Sequence, residues 1–520
     1  MTGTEDAAHP TEAIARPSRR HDVWAFIARH RVFLVVLTLG VIGRGLVEIA
    51  FPYPFVQPDS HRYLDAAIDL RPDFDRTSGY SLFVRLIPGW RELWPLPIVH
   101  HLIGLTVGVL IYALLSRRRV PRWGAALATI PVLLDPFQIA IEHYVLSDTL
   151  FLALLVGGLT ALAIRRRVSI PLAVLGGALL GCALLVRSAG NLVVVVAAIV
   201  LLVGQARWRP TIAFALAVVV PVAAYMLWFH QHHGMYSTNR FPENALYQRV
   251  VRFADCPDPD LPSYERPLCP QAPKERLKTA YYYAWSRYAP WRHLNLPPGT
   301  TRWEALHDFN RRMMRQQPLG YARVVAGDAL RVFALRRHGR DDGSGQIENW
   351  RFNRDGQYHR LSEIPGMPAE RDLRINRALA GRLALWSRLY VPGPVLFACM
   401  LVGLVAAVGL GRARRNGTRA ATALVAMSCL AILFTSNAVS IFSWRYQLPL
   451  FALLPAAGAL GAAALLRKEP APDVLTARET FRRLFAPIRG LVRGSFQRGT
   501  GRPPGASGMR YERRGDEEAG

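Results

Sequence analysis

The chain has 520 residues, a formal net charge of +27 and a hydrophobic fraction of 51%. Its mean hydropathy of +0.14 combines long apolar runs with substantial polar parts, which excludes both a soluble globule and a minimal membrane bundle and is typical of a multi-pass membrane protein with a soluble portion. Because the arginines fall mainly in short runs between apolar segments and near the chain ends, membrane topology explains the charge better than a nucleic-acid partner does.

Ten apolar segments are each close to the ~20 residues that cross the hydrocarbon core of a bilayer. They occupy residues 32–51, 94–115, 123–141, 145–164, 169–186, 191–204, 210–229, 393–411, 420–441 and 447–466. The sequence therefore predicts an α-helical, multi-pass membrane protein with about ten transmembrane helices.

Basic residues predict the orientation of these spans. Arginines are concentrated in alternate short connections: Arg117 to Arg119 with Arg122, Arg165 to Arg167, Arg207 with Arg209, and Arg412 to Arg419. Because such connections stay in the cytoplasm, we expect both chain ends there, as a disordered N-terminal tail over residues 1–31 and a basic tail over residues 467–520. The opposite, extracytoplasmic face then carries two long segments, residues 52–93 and 230–392.

The first outer loop, residues 52–93, contains the candidate catalytic base. Asp59 follows the first span within the sequence Gln57-Pro58-Asp59-Ser60-His61-Arg62-Tyr63. A carboxylate in this loop is suited to take a proton from an acceptor hydroxyl while that hydroxyl attacks an electrophile. The alternative is structural, because an aspartate followed by Ser60 is also typical of a turn that it caps through its own side chain.

Two further acidic residues flank the outer turn that opens the fourth span. Asp148 lies where that helix should begin, so it is either a helix cap that complements the helix dipole or a group that positions a substrate. Asp148 and Glu142 are also candidate ligands of a divalent cation, since such ions bind carboxylate oxygens. The sequence contains no CxxC or HExxH motif, so no structural zinc site is predicted.

Two arginines are exceptions to the concentration of basic residues in cytoplasmic connections, because they lie at the outer ends of apolar spans. Arg187 ends the fifth span, and Arg445 lies between the last two spans. A planar guanidinium group matches the geometry of a phosphate, so both residues are candidates for binding a phosphate group. The alternative for either residue alone is a side chain that extends toward the lipid headgroups.

The long segment 230–392 separates an N-terminal membrane region, residues 32–229, from a C-terminal one, residues 393–466. Its length and the helical spacing of apolar residues over residues 302–337 predict a mainly helical, extracytoplasmic domain. Cys256 and Cys269 bracket a proline-rich loop, and an oxidising compartment would permit a disulfide between them. Spacing alone leaves that pairing open.

Taken in order, these motifs resemble the GT-C superfamily of integral-membrane glycosyltransferases, in particular bacterial relatives of protein mannosyltransferases and lipid A aminoarabinose transferases. The resembling residues are Asp59, Tyr63, Gly79-Tyr80, Leu146-Ser147-Asp148, Arg187 and Trp444-Arg445-Tyr446-Gln447-Leu448-Pro449. The resemblance implies inverting transfer of a sugar from a polyprenyl-phosphate donor, with Asp59 as the base and Arg445 and Arg187 on the donor phosphate. It places Tyr63 and Tyr446, with Asp148 and Glu142, among residues that position the substrate or a metal.

The chain departs from the superfamily's commonest pattern at Ser60, because a second acid often stands there. This departure leaves any need for a divalent cation open, and it leaves the base open as well. Nearby substitutes for Asp59 are Asp65, Asp69, Asp73 and Asp75, although their density also fits an ordinary solvated loop. The expected activity is sugar transfer to a glycan, lipid or protein acceptor on the extracytoplasmic side of the cell membrane, with membrane lipids but no nucleic acid as partners. Two other classes remain as alternatives: a lipid or solute transporter with charges along its path, and a non-catalytic envelope scaffold.

Overall fold

The computed structural model describes residues 19–466 except residues 206–207, 241–242, 257–260, 341–342, 366, 368–371 and 416. The predicted basic tail, residues 467–520, and the first part of the predicted N-terminal tail lie outside the described residues. The α-helices are α1 (Arg19–Ala50), α2 (Pro58–Asp69), α3 (Gly79–Arg85), α4 (Pro95–Arg117), α5 (Arg122–Leu127), α6 (Ile130–Leu133), α7 (Pro136–Glu142), α8 (Asp148–Ala163), α9 (Ile170–Val186), α10 (Asn191–Gln205), α11 (Trp208–His233), α12 (Glu243–Val250), α13 (Ala280–Trp285), α14 (Arg302–Gln316), α15 (Pro318–Arg331), α16 (Arg377–Trp386), α17 (Gly393–Val408), α18 (Arg419–Val439) and α19 (Leu448–Leu466). The predicted helical, multi-pass class is confirmed.

Apolar helices occupy all ten predicted spans, but they differ in length. Among the described residues, five helical stretches are long and apolar enough to cross a membrane: Trp24–Ala50, Pro95–Arg117, Trp208–His233, Arg419–Val439 and Trp444–Leu466. The spans predicted at residues 145–164, 169–186, 191–204 and 393–411 are the shorter helices α8, α9, α10 and α17. Within the part of the chain that the structure describes, helix length and apolar composition give five crossings, or six if the bent pair counts as one, whereas the sequence predicts ten.

The predicted third span, residues 123–141, is bent rather than continuous. The chain turns by 52° between Arg122–Leu133 and Pro136–Glu142. Pro136 disfavours a helical conformation at the residue before it, and Asp135 is accordingly extended. The Asp135 carboxylate accepts from the Phe137 N–H at 3.0 Å and so begins α7. This bend directs the end of α7 into the interior of the bundle, where Glu142 is buried.

The first helix begins earlier than the sequence predicts. α1 starts at Arg19, within the range predicted as a tail that ends at residue 31. Its early turns pack on α4: the Tyr112 ring stacks on Phe33 at 3.9 Å between centroids, and the Tyr112 hydroxyl bonds His30 Nδ1 at 2.7 Å. These contacts extend the helix beyond the apolar run from which the span was predicted.

The arginine-rich connections meet at one end of the bundle, the arginine end, formed by residues 117–122, 165–167, 411–415 and 417–419. Arg118 is buried there and donates hydrogen bonds to the carbonyls of Ala163, at 2.5 Å, and Arg165, at 2.6 Å. A longer bond of 3.4 Å joins it to the Gly417 carbonyl. The opposite end, the domain end, carries residues 52–93 and 230–392.

The outer segment 230–392 contains helices α12 to α16 and a hydrophobic core of its own, centred on Tyr247, Phe309 and Met313. The sulfurs of Cys256 and Cys269 are bonded to each other, with the Cα atoms 6.2 Å apart. The segment is fixed to the bundle by buried Arg249, which bonds the Asp328 carboxylate at 2.6 Å and, through Nε, the Ser440 carbonyl at 3.2 Å.

We predict that the domain end faces the extracytoplasmic side, because the arginine end should stay in the cytoplasm. Tyr288 is 60% exposed in the outer segment, and Arg165 is exposed at the arginine end. With Cys182 and Cys399 replaced by alanine, a membrane-impermeant maleimide should label Tyr288→Cys in intact cells and Arg165→Cys only after permeabilisation. The reverse labelling pattern would overturn this topology.

Candidate active site

The first outer loop places Asp59 in the first turn of α2, and local hydrogen bonds explain why that helix begins there. Pro58 supplies a fixed φ at the first helical position. The Gln57 N–H donates to Ser60 Oγ at 3.0 Å, and the Ser60 N–H donates to the Gln57 carbonyl at 2.8 Å. Ser60 therefore stabilises the helix start and leaves the Asp59 carboxylate to face the bundle.

Two arginines bind the Asp59 carboxylate from opposite sides. Arg76 Nη1 lies 2.6 Å from Oδ1, and Arg445 Nη1 donates to Oδ2 at 2.8 Å. Burial by itself would raise the pKa of the Asp59 carboxyl, but the two ion pairs outweigh burial and hold the pKa well below its usual range. Asp59 is thus a carboxylate at neutral pH, which makes it a poor proton acceptor as long as both arginines remain in place.

Arg445 also connects Asp59 to Asp148. Its Nε donates to Asp148 Oδ2 at 2.7 Å, while Arg187 Nη1 bonds the other carboxylate oxygen, Oδ1. Asp148 is the first residue of α8, whereas the preceding Ser147 occupies the cap position and bonds the Tyr63 hydroxyl at 3.0 Å. The Asp148 side chain therefore holds two guanidinium groups in addition to beginning the helix.

These residues form a continuous charge chain: Arg76, Asp59, Arg445, Asp148 and Arg187. With three cations and two anions, it carries one surplus positive charge. Arg445, at its centre, is only 5% exposed. A surplus charge held away from water is unfavourable unless an anion neutralises it, so the chain is suited to binding one.

A cavity of about 150 Å³ opens beside this charge chain. Its polar wall contains Asp148, Arg187, Ser188, Arg445 and Tyr446. Its remaining wall is mainly apolar and consists of Phe151, Ala189, Ile432, Thr435, Ser436, Val439, Ser440 and Pro449. The cavity thus pairs cationic groups with an apolar surface, the combination that an amphiphile with an anionic head requires.

Aromatic side chains fix the orientation of the two cavity arginines. The Arg187 guanidinium lies 5.1 Å from the Tyr446 ring centroid, and that of Arg445 lies 5.6 Å from the ring of Trp350 in the outer segment. Trp444 is fully buried and donates through Nε1 to the His338 carbonyl at 3.1 Å. The outer segment therefore contributes directly to the position of Arg445.

Close backbone packing joins the loop of Arg76 to the helix end that carries Arg187. A Cβ added at Gly79 would lie 2.4 Å from the Leu185 carbonyl oxygen, so only glycine allows this approach. The next residue, Tyr80, is fully buried and packs edge-on against Tyr63 with ring centroids 5.0 Å apart. The Gly79-Tyr80 motif thus has a structural role at the base of the site.

Glu142, grouped with the site residues in the sequence, makes its contacts elsewhere. Its two carboxylate oxygens accept from Arg44 at 2.8 Å each, and they also bond His101 at 2.9 Å and Gln138 at 3.0 Å. The side chain turns toward α1 and α4 because α7 follows the bend at residue 135. Glu142 therefore belongs to a buried network outside the charge chain.

A divalent cation on the predicted acids would have to displace arginine. Both oxygens of Asp59 and both oxygens of Asp148 are bound by guanidinium groups, and those of Glu142 are bound as well. These carboxylates do not fit a cation site in this arrangement. Their geometry suits them instead to holding the arginines in fixed orientations.

Sequence reasoning missed two contributors to the site. Arg76 follows Asp73 and Asp75 in a polar loop, where a solvated charge is the simpler interpretation, and Trp350 acts through a contact between distant segments. The sequence did single out the other members of the charge chain. Asp59, Asp148, Arg187 and Arg445, each taken from a different segment, lie in direct contact.

No protein-family model matches the chain, and no curated protein matches it in sequence. Among solved structures, archaeal oligosaccharyltransferase AglB from Archaeoglobus fulgidus, in complex with an inhibitory peptide and a dolichol-phosphate, is 13% identical with a TM-score of 0.40. The match covers 91% of this chain and 55% of that one, so the chain spans about half the length of AglB.

ArnT from Cupriavidus metallidurans is similar in the apo state, with 15% identity, a TM-score of 0.31 and coverage of 86% of this chain and 78% of that one. Its complex with undecaprenyl phosphate gives 18% identity, a TM-score of 0.27 and coverage of 85% and 78%. Both neighbours are membrane glycosyltransferases of the GT-C superfamily, which the sequence motifs resemble. Because all three TM-scores lie below 0.5, the functional proposal rests on the site itself.

Proposed function

We propose that this protein is a membrane glycosyltransferase that moves a sugar from a polyprenyl-phosphate donor to an envelope glycan, lipid or protein acceptor on the extracytoplasmic side. The observation that carries the proposal is the surplus positive charge of the charge chain beside a cavity with an apolar wall. A lipid phosphate carries an anionic group that can neutralise the surplus positive charge and a hydrocarbon chain that can pack on the apolar wall of the cavity.

The cationic side of the cavity is suited to the phosphate of the donor. Arg445 and Arg187 both line it and already share the Asp148 carboxylate, so each can turn N–H groups toward a phosphate while keeping one protein partner. Guanidinium groups bind phosphate through two parallel hydrogen bonds. Negative charge that develops on the departing phosphate would be stabilised there, typically by about 3–4 kcal/mol per well-placed donor.

The proposed transfer requires one general base and no general acid. The acceptor hydroxyl oxygen attacks the anomeric carbon of the sugar from the side opposite the phosphate, and its proton passes to Asp59. The bond from that carbon to the phosphate oxygen breaks, and its electron pair stays on the phosphate. A phosphate is a good leaving group, so no second carboxyl has to protonate it, in contrast to glycoside hydrolysis.

Donor binding would also make Asp59 a stronger base. The same Arg445 guanidinium contacts Asp59, Asp148 and the cavity. A bound phosphate competes with Asp59 for Arg445, and each weakened ion pair raises the pKa of the Asp59 carboxyl toward its usual range. Asp59 would thus become a better proton acceptor only when the donor is present.

The activity is tested with purified protein and a panel of polyprenyl-phosphate-linked sugars. The proposal requires that the protein release free polyprenyl phosphate from at least one donor in the presence of an extract that supplies acceptors. A transporter would move the lipid across a vesicle membrane without breaking the sugar–phosphate bond, and a scaffold would do neither. Absence of donor cleavage across the panel would therefore reject the proposed function.

The pairing of Asp59 with Arg76 predicts a pH effect. Arg76 contributes to holding the pKa of Asp59 low, so Arg76→Gln should raise that pKa. The carboxylate that serves as the base would then be protonated at a higher pH, and the acid limb of the kcat/KM profile should move toward neutral pH. Arg62→Gln is the control, because Arg62 binds Asp73 and Asp75 in the same loop. Equal profiles for both variants would contradict the role of Arg76.

A further inference from the structure

A second cluster of polar side chains lies inside the bundle, outside the charge chain, where the ends of α1 and α7 meet the beginning of α4. It contains Glu48, His101 and His143, and one ligand atom from each lies within 4.8 Å of the others. Glu48 Oε1 is 3.5 Å from His101 Nε2 and 3.9 Å from His143 Nδ1. Both histidines are buried, with 4% and 0% exposure.

The hydrogen bonds of the two histidines determine which nitrogens carry protons. His101 Nδ1 lies 2.9 Å from Glu142 Oε2, and His143 Nε2 lies 3.0 Å from the Tyr53 carbonyl. A carboxylate held by Arg44 and a carbonyl oxygen are both acceptors, so these two nitrogens are the donors. In the neutral imidazoles the other nitrogens, His101 Nε2 and His143 Nδ1, then carry lone pairs.

With Glu48 ionised, three lone pairs therefore lie close to one another in a buried space. Glu48 Oε1, His101 Nε2 and His143 Nδ1 are all buried, and none has a hydrogen-bond partner among the described residues. Buried polar atoms without a partner cost about 1–3 kcal/mol each, and three mutually facing acceptors add electrostatic repulsion. A cation at their centre removes both penalties.

We propose that Glu48, His101 and His143 bind a divalent transition-metal ion, with Zn²⁺ as the best match. Two imidazoles and a carboxylate favour zinc over magnesium, which prefers oxygen ligands. Tetrahedral zinc with bonds of ~2.0–2.1 Å places its ligand atoms roughly 3.3–3.4 Å apart. The Glu48 separations of 3.5 and 3.9 Å and that of the two histidine nitrogens, within 4.8 Å, would therefore have to close by up to about 1.5 Å. Three protein ligands leave one position for water.

The surroundings provide the second layer of contacts that metal-binding histidines usually have. His101 donates to Glu142, which Arg44 and Gln138 also hold, so the ring is fixed in the orientation that presents Nε2. A Cβ at Gly104 would lie 1.9 Å from Glu142 Oε1, which shows how closely α4 approaches this carboxylate. Carboxylate–histidine–metal arrangements of this kind orient the ligand and raise its basicity.

The ion would connect three segments that support the charge chain. His143 lies between α7 and α8, and its carbonyl accepts from the Phe55 N–H at 2.8 Å, while the Val145 N–H donates to the Phe55 carbonyl at 3.0 Å. Residue 55 leads into α2 and Asp59, and residue 145 leads into α8 and Asp148. The metal therefore has a positioning role for both carboxylates and does not contact the reacting groups.

The test uses full-length protein purified through a tag without histidines, stripped with a chelator, equilibrated with Zn²⁺ and desalted. Elemental analysis should give about one Zn²⁺ per chain. Glu48→Gln preserves shape and His143→Phe preserves ring volume; both should lose the ion. His100→Phe is the matched control, because both His100 nitrogens already bond Glu142 and Tyr80, so this variant should keep it.

Zn²⁺ should also raise the Tm of the parent and of His100→Phe but not that of Glu48→Gln, a comparison that does not require any enzymatic activity. Metal-free parent protein after this treatment would overturn the proposal and indicate a proton shared between Glu48 and His101 instead. Equal zinc content in the parent and all variants would overturn it as well, since the ion would then be bound elsewhere.

Discussion

Replacing Asp59 by asparagine is expected to lower the turnover number by about 10²–10⁴-fold, the usual contribution of a general base. The amide has nearly the same shape as the carboxylate but cannot take the proton of an acceptor hydroxyl. Donor affinity should change little by comparison, because the cavity arginines, Arg187 and Arg445, still share Asp148. Turnover measured by polyprenyl phosphate release, together with donor binding, separates the two effects.

Asp65→Asn is the matched control for this variant, since Asp65 is exposed on the same helix, α2. Its turnover should equal that of the parent. Near-normal turnover of Asp59→Asn would remove Asp59 as the base, and Asp148 would become the carboxylate to test next. Loss of folded protein in Asp59→Asn, judged by size-exclusion chromatography, would instead assign Asp59 to holding Arg76 and Arg445 in place.

Replacing Arg445 by alanine is expected to lower turnover by about 10²–10³-fold, because one electrostatic contact with the departing phosphate is lost. Arg445→Lys should lose less, since it keeps the charge but not the paired hydrogen bonds of guanidinium. Folding should survive both changes. Each carboxylate retains one arginine, with Asp59 bound to Arg76 and Asp148 bound to Arg187.

Arg118→Ala controls for the removal of a buried arginine, because Arg118 lies at the arginine end and bonds backbone carbonyls. This variant should lower thermal stability without changing turnover per folded molecule. If the Arg445 variants bound and turned over the donor as the parent does, Arg445 would only complete an internal ion network. Such a result would remove the main support for a phosphate-binding site.

The membrane architecture and much of the charge chain follow from sequence because each depends on a strong local signal. Long apolar runs locate the spans, and a charge at the end of such a run stands out since it is costly at membrane depth. Asp59, Asp148, Arg187 and Arg445 were found in this way. Arg76 was missed because arginine beside Asp73 and Asp75 in a polar loop is an ordinary composition.

The sequence could not predict contacts that bring distant segments together inside the bundle. Glu142 was grouped with the site because it precedes Asp148 by only six positions, yet the bend at residue 135 directs it toward Arg44. The cluster of Glu48, His101 and His143 draws one ligand from each of three segments. No local spacing motif exists for such a cluster, so the absence of CxxC and HExxH gave no indication of it.

The charge chain is completed only late in the synthesis of the protein. Arg445 follows Asp59 by 386 positions, which at ordinary translation speeds corresponds to a delay of roughly 20–80 s. Until then the nascent polypeptide carries only Arg76, Asp59, Asp148 and Arg187 of the charge chain, whose formal charges sum to zero. The excess cation arrives only with the final hairpin of the membrane region, so an incomplete product remains without the proposed anion-binding centre while the ribosome is still attached.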